Sequence, residues 1–375
     1  MELQIIHIIL GKANPNRMNG VNKVVNSLAE SQAQLGMNVT VWGITKNPVH
    51  DYPNRSYNTQ LFKDTGKFSI DPNLRTEIES LKDLNVIFHF HGGFIPQFNP
   101  IAKLLVKNNL EYVFTPHGAF NTVALERSKW KKKAYILLLE SFLVKNAKHI
   151  HLIGESEVTG TTNIFGAIPF QLIPNGQEYA KENLIKDSKN GNNAPVFGFV
   201  GRLDTHTKGL DTLLEGFANF ALNNNANSEL WLIGDGPDRA NLEKMAQNLH
   251  ISNHMKFLGA KYGNEKDELV RQLDFLCLVS RNEGLPGVVL EAASEGIPSI
   301  VSYETNLADY ISINQAGFVT EQNTATGVTA ALEQALSAIR NQESHELGMN
   351  ARKMVQTHFD WSTIAKRHID SYESN

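Results

Sequence analysis

Three stretches of the 375-residue chain combine residue types that bind anions and sugar hydroxyls. The richest is SRNEGLPGVVLEAASEGIPSIVS, residues 280–302. An apolar strand ends there near Ser280, a turn holds Glu283, Gly284, Leu285 and Pro286, and a helix follows from Gly287. A helix start leaves backbone N–H groups unpaired and carries partial positive charge, which suits a phosphate. Pro286 stands where a missing N–H costs the helix little. Glu283 and Glu291 lie eight residues apart and would differ by about 80° around a helical axis, so both reach one side. Such carboxylates either accept sugar or ribose hydroxyls or serve as a cap and a solvated helix face.

The second stretch is FVGRLDTHTKGLDTLLEGF, residues 199–217. Arg202 follows a strand, and Lys208 with Gly209 opens the next helix. A guanidinium that binds in two-pronged fashion beside an ammonium point charge suits a diphosphate. The third, LIGDGPDRANL at 232–242, has Gly-x-Gly without a third glycine, and we read it as a tight turn with Asp235 or Pro237 starting a helix. His89 and His91 in FHFHGG share a strand face and could join His117 of TPHGAF as metal ligands. The same alternation in HIHLIG argues that they are strand histidines instead. No Asp-x-Asp occurs, so the usual carboxylate pair for a divalent cation is missing and no metal is expected. Residues 127–145, RSKWKKKAYILLLESFLVK, are either a membrane-facing or anionic-acceptor patch or an ordinary solvated basic face.

Elements that would position these residues alternate along the whole chain. LQIIHIIL, NVTVWGI, NVIFHFH, YVFTPHG and KHIHLIG read as strands in the first half. VFGFVG, ELWLIG, MKFLG, DFLCLVS and PSIVS read as strands in the second. Runs apolar on both faces imply parallel strands covered by helices on both sides, that is, α/β doubly wound domains. GVNKVVNSLAESQAQLG gives a helix with Val21, Val24, Val25, Leu28 and Leu35 on its apolar stripe and Gly36 at its end. The polar stretch 178–195 reads as a connection, giving domains at 1–178 and 195–358. The segment 359–375 forms a helix whose apolar side, Trp361, Ile364, Ala365, His368 and Ile369, is expected to pack back on the first domain. Ligands of open α/β sheets bind beyond the strand C-termini. The net charge of −4 excludes a strongly basic nucleic-acid binder. The single Cys277 lies in an apolar run and reads as a buried hydrophobe in a reducing compartment. The N-terminus lacks a basic region and a cleavage site, so a cytoplasmic protein is expected, with peripheral contact at the inner face of the membrane through 127–145 as its only membrane association.

Glu283 and Glu291 in EGLPGVVLEA, the GRLD…KG stretch, GDGP, FLG, HGAF, IPNG and the closing FDWSTIAKRHIDSYES occur in an order and spacing that resemble retaining GT-B glycosyltransferases of family 4. The resemblance implies two Rossmann-like domains facing a cleft, the first binding acceptor and the second a nucleotide-sugar donor. It implies that Arg202, Lys208 and Gly20 hold the donor diphosphate and that Glu283, with Gly284, Leu285 and Pro286, holds the donor sugar. Glu291 would bind ribose, Ala260 and Lys261 the base, and His117 the transferred sugar. EGLPG replaces the family's commoner EGFG, so Pro286 removes one N–H, and Asn19 stands where the family has the first glycine of its Gly-Gly-Val loop. The implied activity is metal-independent, retaining hexosyl transfer to a saccharide or lipid-linked acceptor, in bacterial surface polysaccharide or glycoconjugate synthesis. A nucleotide-sugar epimerase on the same fold and a non-catalytic nucleotide-sugar-binding protein are the competing readings.

Overall fold

Chain alternation between apolar strands and helices yields two parallel sheets. The computed structural model describes residues 3–14, 20–52, 54–122, 134–178, 194–224 and 227–374. Two compact units result: Met1–Gly176 with Trp361–Asn375, and Gln177–Asp360.

The first unit holds β1 (Gln4–Leu10), β2 (Asn38–Thr45), β3 (Asn58–Lys63), β4 (Val86–His91), β5 (Glu111–Thr115), β6 (Ile150–Leu152) and β7 (Phe170–Leu172) in the order β3-β2-β1-β4-β5-β6-β7. The chain reverses its direction of growth between β1 and β4, the position where such sheets bind ligands. One face carries Ile6, Ile8, Phe88, Phe90 and Phe114, covered by α2 (Pro72–Ser80), α3 (Phe98–Lys107) and α4 (Ser141–Lys145). Helix α5 (Glu155–Phe165) follows β6. The other face carries Ile5, Ile9, Ile87 and Val113, covered by a helix at Gly20–Gln34 and by the C-terminal helix Trp361–Glu373.

The second unit repeats the plan with β8 (Val196–Val200), β9 (Glu229–Ile233), β10 (Met255–Gly259), β11 (Phe275–Leu278), β12 (Ser299–Val301) and β13 (Gly317–Val319), ordered β10-β9-β8-β11-β12-β13. Its reversal point lies between β8 and β11. The helices are α6 (Thr205–Lys208), α7 (Leu210–Asn224), α8 (Arg239–Asn248), α9 (Gly263–Val270), α10 (Gly287–Ser294), α11 (Ala308–Ile313), α12 (Ala325–Arg340) and α13 (Ser344–His358). Numbering the N-terminal helix Gly20–Gln34 as α1 makes the C-terminal helix α14. Among the described residues, no helix is long and apolar enough to cross a membrane.

Of the four edge strands, β10 is legible as MKFLG, whereas β3, β7 and β13, half exposed and without a continuous apolar run, carry no sequence signal. Leu35, expected on the apolar stripe of α1, is 43% exposed, whereas the polar Asn22, Ser27, Ser31 and Gln32 are buried. The GDGP turn starts its helix later than expected: α8 begins at Arg239 behind Asp238, not at Asp235 or Pro237. The intervening residues lie flat against the Arg202 loop, since a Cβ on Gly234 would stand 1.8 Å from the Gly201 carbonyl oxygen. Cys277 is fully buried, and that burial pushes its thiol up to about 12, so it is inert.

Candidate functional site

In the second unit the chemistry gathers at the β8/β11 reversal. Asp204 caps α6, and Gly209 ends it in the left-handed conformation, φ +63°. A Cβ on Gly209 would stand 2.2 Å from the Val279 carbonyl oxygen, so glycine lets this turn lie against the end of β11. Arg281 fastens the same turn: its N–H donates to Thr207 O at 2.9 Å, and its guanidinium donates to Thr205 O at 3.0 Å and Asp211 at 2.8 Å. Lys208 is thereby delivered to Glu283, with Nζ 2.5 Å from Oε1. The Ser280 hydroxyl donates to the same carboxylate oxygen at 2.8 Å. The Glu283 turn is held open by Asn306, a left-handed residue whose amide donates to the carbonyls of Glu283 at 2.6 Å and Gly284 at 2.7 Å.

Pro286 is buried and caps α10, Leu285 packs on the core, and Gly284 is half-buried. Arg202 is exposed, in the loop after β8. Glu291, on α10, is not a free carboxylate: Lys266 of α9 reaches it at 2.6 Å. Burial disfavours the Lys266 ammonium, but the Glu291 and Asp267 carboxylates together outweigh it and hold the lysine above its ordinary range. Ala260 is exposed after β10, and Lys261 pairs with Glu265. Ser280, Arg281, Asn306 and Lys266 were not singled out from sequence. Only their placement against Glu283, Lys208 and Glu291 reveals them.

In the first unit His117 follows β5 at φ +53°, succeeded by Gly118 at φ +81°. Glu157 of α5 clamps this strained pair, accepting from Gly118 N at 2.6 Å and Ile153 N at 3.2 Å. Burial pushes the Glu157 carboxyl up to about 7 against those N–H donors. Glu140 does the same for the neighbouring loop, accepting from Phe94 N at 2.9 Å, and burial pushes it up to about 7. The residue His117 is half-buried, but its ring is shielded and its imidazole falls to about 4. A cavity of about 10 Å³, room for one water, is lined by His91, Thr115, His117, Asn175, Trp361 and His368.

Behind His117 lies a layer of imidazoles on the α1/α14 face of the sheet. His91 Nδ1 meets His117 Nε2 at 3.0 Å, and His7 Nδ1 meets His91 Nε2 at 2.8 Å. His89 contacts Tyr372 and Thr115 at 2.7 and 2.6 Å, and His151 contacts Ser371 at 3.0 Å. Desolvation drives all of these histidines toward the neutral form. Among the described residues, the ring nitrogens of His7, His89 and His91, and those of His89, His151 and His368, lie within 4.8 Å of one another. His117 belongs to neither group, so the three-histidine set suggested by sequence is replaced by two sets that exclude it. Gly20 starts α1 and is exposed, while residues 15–19 before it lie outside the described residues. The basic segment 127–133 also lies outside them. Of its continuation, Leu137 and Leu138 are 76% and 75% exposed.

The solved UDP complex of Alr3699/HepE from Anabaena superposes with a TM-score of 0.72 at 15% identity over 100% of both chains, which establishes a shared GT-B fold. The family model for Glycosyltransferase Family 4 matches residues 18–178, and that for Glycosyl transferases group 1 matches residues 180–354. The two matches run end to end, and the chain belongs to these glycosyltransferases. The N-acetyl-alpha-D-glucosaminyl L-malate synthase of Bacillus anthracis is 30% identical over 146 residues, 39% of this chain and 37% of that protein. The lipopolysaccharide core biosynthesis glycosyltransferase LpsE of Rhizobium meliloti is 28% identical over 144 residues, 38% of this chain and 40% of that one. The chain thus spans about two fifths of the length of these curated relatives.

Proposed function

We propose that this glycosyltransferase is a retaining enzyme that moves a hexosyl unit from a nucleotide-diphosphate sugar to a saccharide or lipid-linked saccharide, in the synthesis of a bacterial surface polysaccharide or glycoconjugate. The observation that carries this reading is the Lys208–Glu283 pair at the β8/β11 reversal, at 2.5 Å. A cation for the leaving phosphate and a carboxylate for the sugar hydroxyls are thus held together where the loops after β8 and β11 meet. Arg202 and Lys208 take the diphosphate, with Gly20 from the first unit, and the α10 N-terminus adds its partial positive charge. Gly284, Leu285 and Pro286 line the sugar, Glu283 accepts its hydroxyls, Glu291 accepts ribose hydroxyls, and Ala260 and Lys261 flank the base. His117 contacts the transferred sugar.

The bond from the anomeric carbon to the phosphate oxygen breaks as an oxocarbenium-like sugar forms. The negative charge developing on that oxygen is stabilised by the two cations, so no metal is needed for this step. The acceptor oxygen bonds to the same face of the sugar, and its proton passes to the leaving phosphate. UDP, bound in the Anabaena neighbour, makes uridine sugars the first donors to try. Leu137 and Leu138, exposed beyond the basic segment, suit a lipid-linked acceptor. The test is a panel of nucleotide sugars, scored for nucleotide diphosphate release with saccharide, lipid-linked and small carboxylic acceptors, followed by NMR of the product anomer. Release with product of unchanged anomeric configuration is expected. No release with any donor, or an inverted anomer, would overturn the reading.

A further inference from the structure

Among the described residues the His117 ring bonds to one side chain, Nε2 to His91 Nδ1, and that bond ends a chain running from the loop after β5 through β4 and β1 into α1. The chain begins at Gln32, whose amide oxygen Oε1 lies 2.7 Å from His7 Nε2 while its Nε2 faces the Tyr372 hydroxyl at 3.4 Å. An amide oxygen has lone pairs and no hydrogen, so it can only accept. His7 must therefore carry its proton on Nε2. A neutral imidazole with one nitrogen protonated offers the other as acceptor. His7 Nδ1 is thus a lone pair, and His91 Nε2, 2.8 Å away, must be the N–H that fills it. The same rule makes His91 Nδ1 a lone pair, filled by the N–H on His117 Nε2 at 3.0 Å.

We propose that Gln32, His7 and His91 are positioning residues that set the tautomer of His117, so that it presents its Nδ1 lone pair as a hydrogen-bond acceptor. The ligand this fits is a sugar hydroxyl that donates its hydrogen, and the assignment of that ligand rests on the reading of His117 as the residue touching the transferred sugar. Each link needs a neutral ring, and burial supplies it: His7 and His117 fall to about 4, and His91 lies well below its ordinary range. The relay is also shielded from bulk solvent, since Gln32 and His7 are fully buried and His91 is 1% exposed. Gln32 sits on α1, and no chemistry in its sequence neighbourhood announces it.

Two measurements test this independently. In uniformly ¹⁵N-histidine-labelled protein without substrate, long-range proton–nitrogen spectra assign the protonated nitrogen of each ring. The expected result is His117, His91 and His7 all protonated on Nε2. A His117 protonated on Nδ1 would overturn the proposal whatever the enzyme's substrate. In the second, Gln32→Met removes the acceptor at similar size, while Gln32→Glu keeps an acceptor-only group. Gln32→Met should mix the His117 tautomers and lower kcat/KM for the nucleotide sugar about tenfold, and Gln32→Glu should restore both. If Gln32→Met mixes the tautomers but leaves kcat/KM unchanged, the catalytic half is wrong and His117 does not use Nδ1 on the sugar. If Gln32→Met leaves His117 on Nε2, the relay itself is wrong. Should Gln32→Met prove unstable, the wild-type spectrum alone still decides the tautomer.

Discussion

In the second unit the residues alternating along the central strands β8 and β9, such as Phe197, Phe199, Leu230 and Leu232, are hydrocarbon on the faces that meet helices. In the first unit the central strands β1 and β4 carry His7, His89 and His91 on one face, joined by His151 of β6 and His368 of α14. Strand order is the same at the core of both sheets, so topology did not select this difference. A buried Phe or Leu side chain contributes ~1.5–3 kcal/mol by leaving water, whereas an intramolecular hydrogen bond nets only ~0.5–1.5 kcal/mol. The histidine layer thus gives up stability and gains fixed orientation, which suits the role proposed for His117. In the second unit the paired charges Lys208–Glu283, in the loops after β8 and β11, and Lys266–Glu291, on α9 and α10, are partly exposed and so able to exchange partners for a ligand.

The widest separation between the units should come with pH. His7, His117 and His149 fall to about 4 in the folded state from 6.5, so the unfolded chain binds more protons between those values. Stability then rises with pH through this window: their contribution is whole above 6.5 and is lost as pH falls toward 4. At about 1.4 kcal/mol per pKa unit, each such group is worth ~3 kcal/mol, with coupling making the sum smaller. Glu140 and Glu157 oppose this, since at about 7 against 4.5 they bind protons in the folded state first and weaken the fold as pH rises. Two carboxyls do not outweigh the larger set of depressed histidines. Hydrogen exchange, corrected for the intrinsic effect of pH, should show β1 and β4 losing protection between pH 6.5 and 4 while β8 and β11 hold theirs. Equal loss in both sheets would end the distinction.

Next in size is the loss of a cation at the β8/β11 reversal. Lys208→Ala and Arg202→Ala should each lower kcat about 100-fold, the effect of removing one preorganised partner of a developing anion. Melting temperatures should change little, because both side chains sit at the rim rather than in the core. Activity within twofold of wild type in both variants would remove the diphosphate assignment.

How much of this was legible in the sequence differs between the units for a physical reason. Central strands announce themselves as apolar runs because both their faces are covered, and Arg202, Lys208, Glu283 and Glu291 announce themselves as charges at strand ends. Three of the four edge strands, β3, β7 and β13, do not, since half of each faces solvent, and the fourth, β10, shows only through the short run MKFLG. His89, His91 and the HIHL pair were visible, but their partners were not. Gln32, Thr115, Ser371 and Tyr372 are ordinary polar residues whose meaning comes from long-range packing, with 283 residues separating Tyr372 from His89. Lys266 was invisible for the same reason, 25 residues from Glu291 on another helix.

Glu283→Gln sharpens the picture within the second unit. It keeps the shape and the Ser280 contact but weakens the acceptor for Lys208 and for sugar hydroxyls. Charge-assisted bonds of this kind are worth ~1.5–3 kcal/mol, so turnover should fall about tenfold or more. Affinity for the free nucleotide diphosphate should stay within twofold by calorimetric titration, because the sugar is absent from that ligand. A large loss of nucleotide diphosphate affinity would mean that the Lys208–Glu283 pair positions the phosphate site as a whole.

The smallest effect belongs to Glu291. Its carboxylate is held by Lys266 at 2.6 Å, with 32% of its side chain exposed. A pair so close to solvent contributes only ~0–1 kcal/mol to stability, so Glu291→Ala should barely move the melting temperature. If its partner in the complex is ribose, the same change removes hydroxyl acceptors and should weaken nucleotide diphosphate binding about fivefold. Lys266→Met supplies the contrast: it leaves the carboxylate in place, so affinity should be retained or rise as the competing ammonium is removed. Calorimetry on both variants separates the alternatives. Affinity unchanged in Glu291→Ala but lost in Lys266→Met would make the lysine the nucleotide contact and Glu291 only its anchor, reversing the roles given to the two ends of this ion pair.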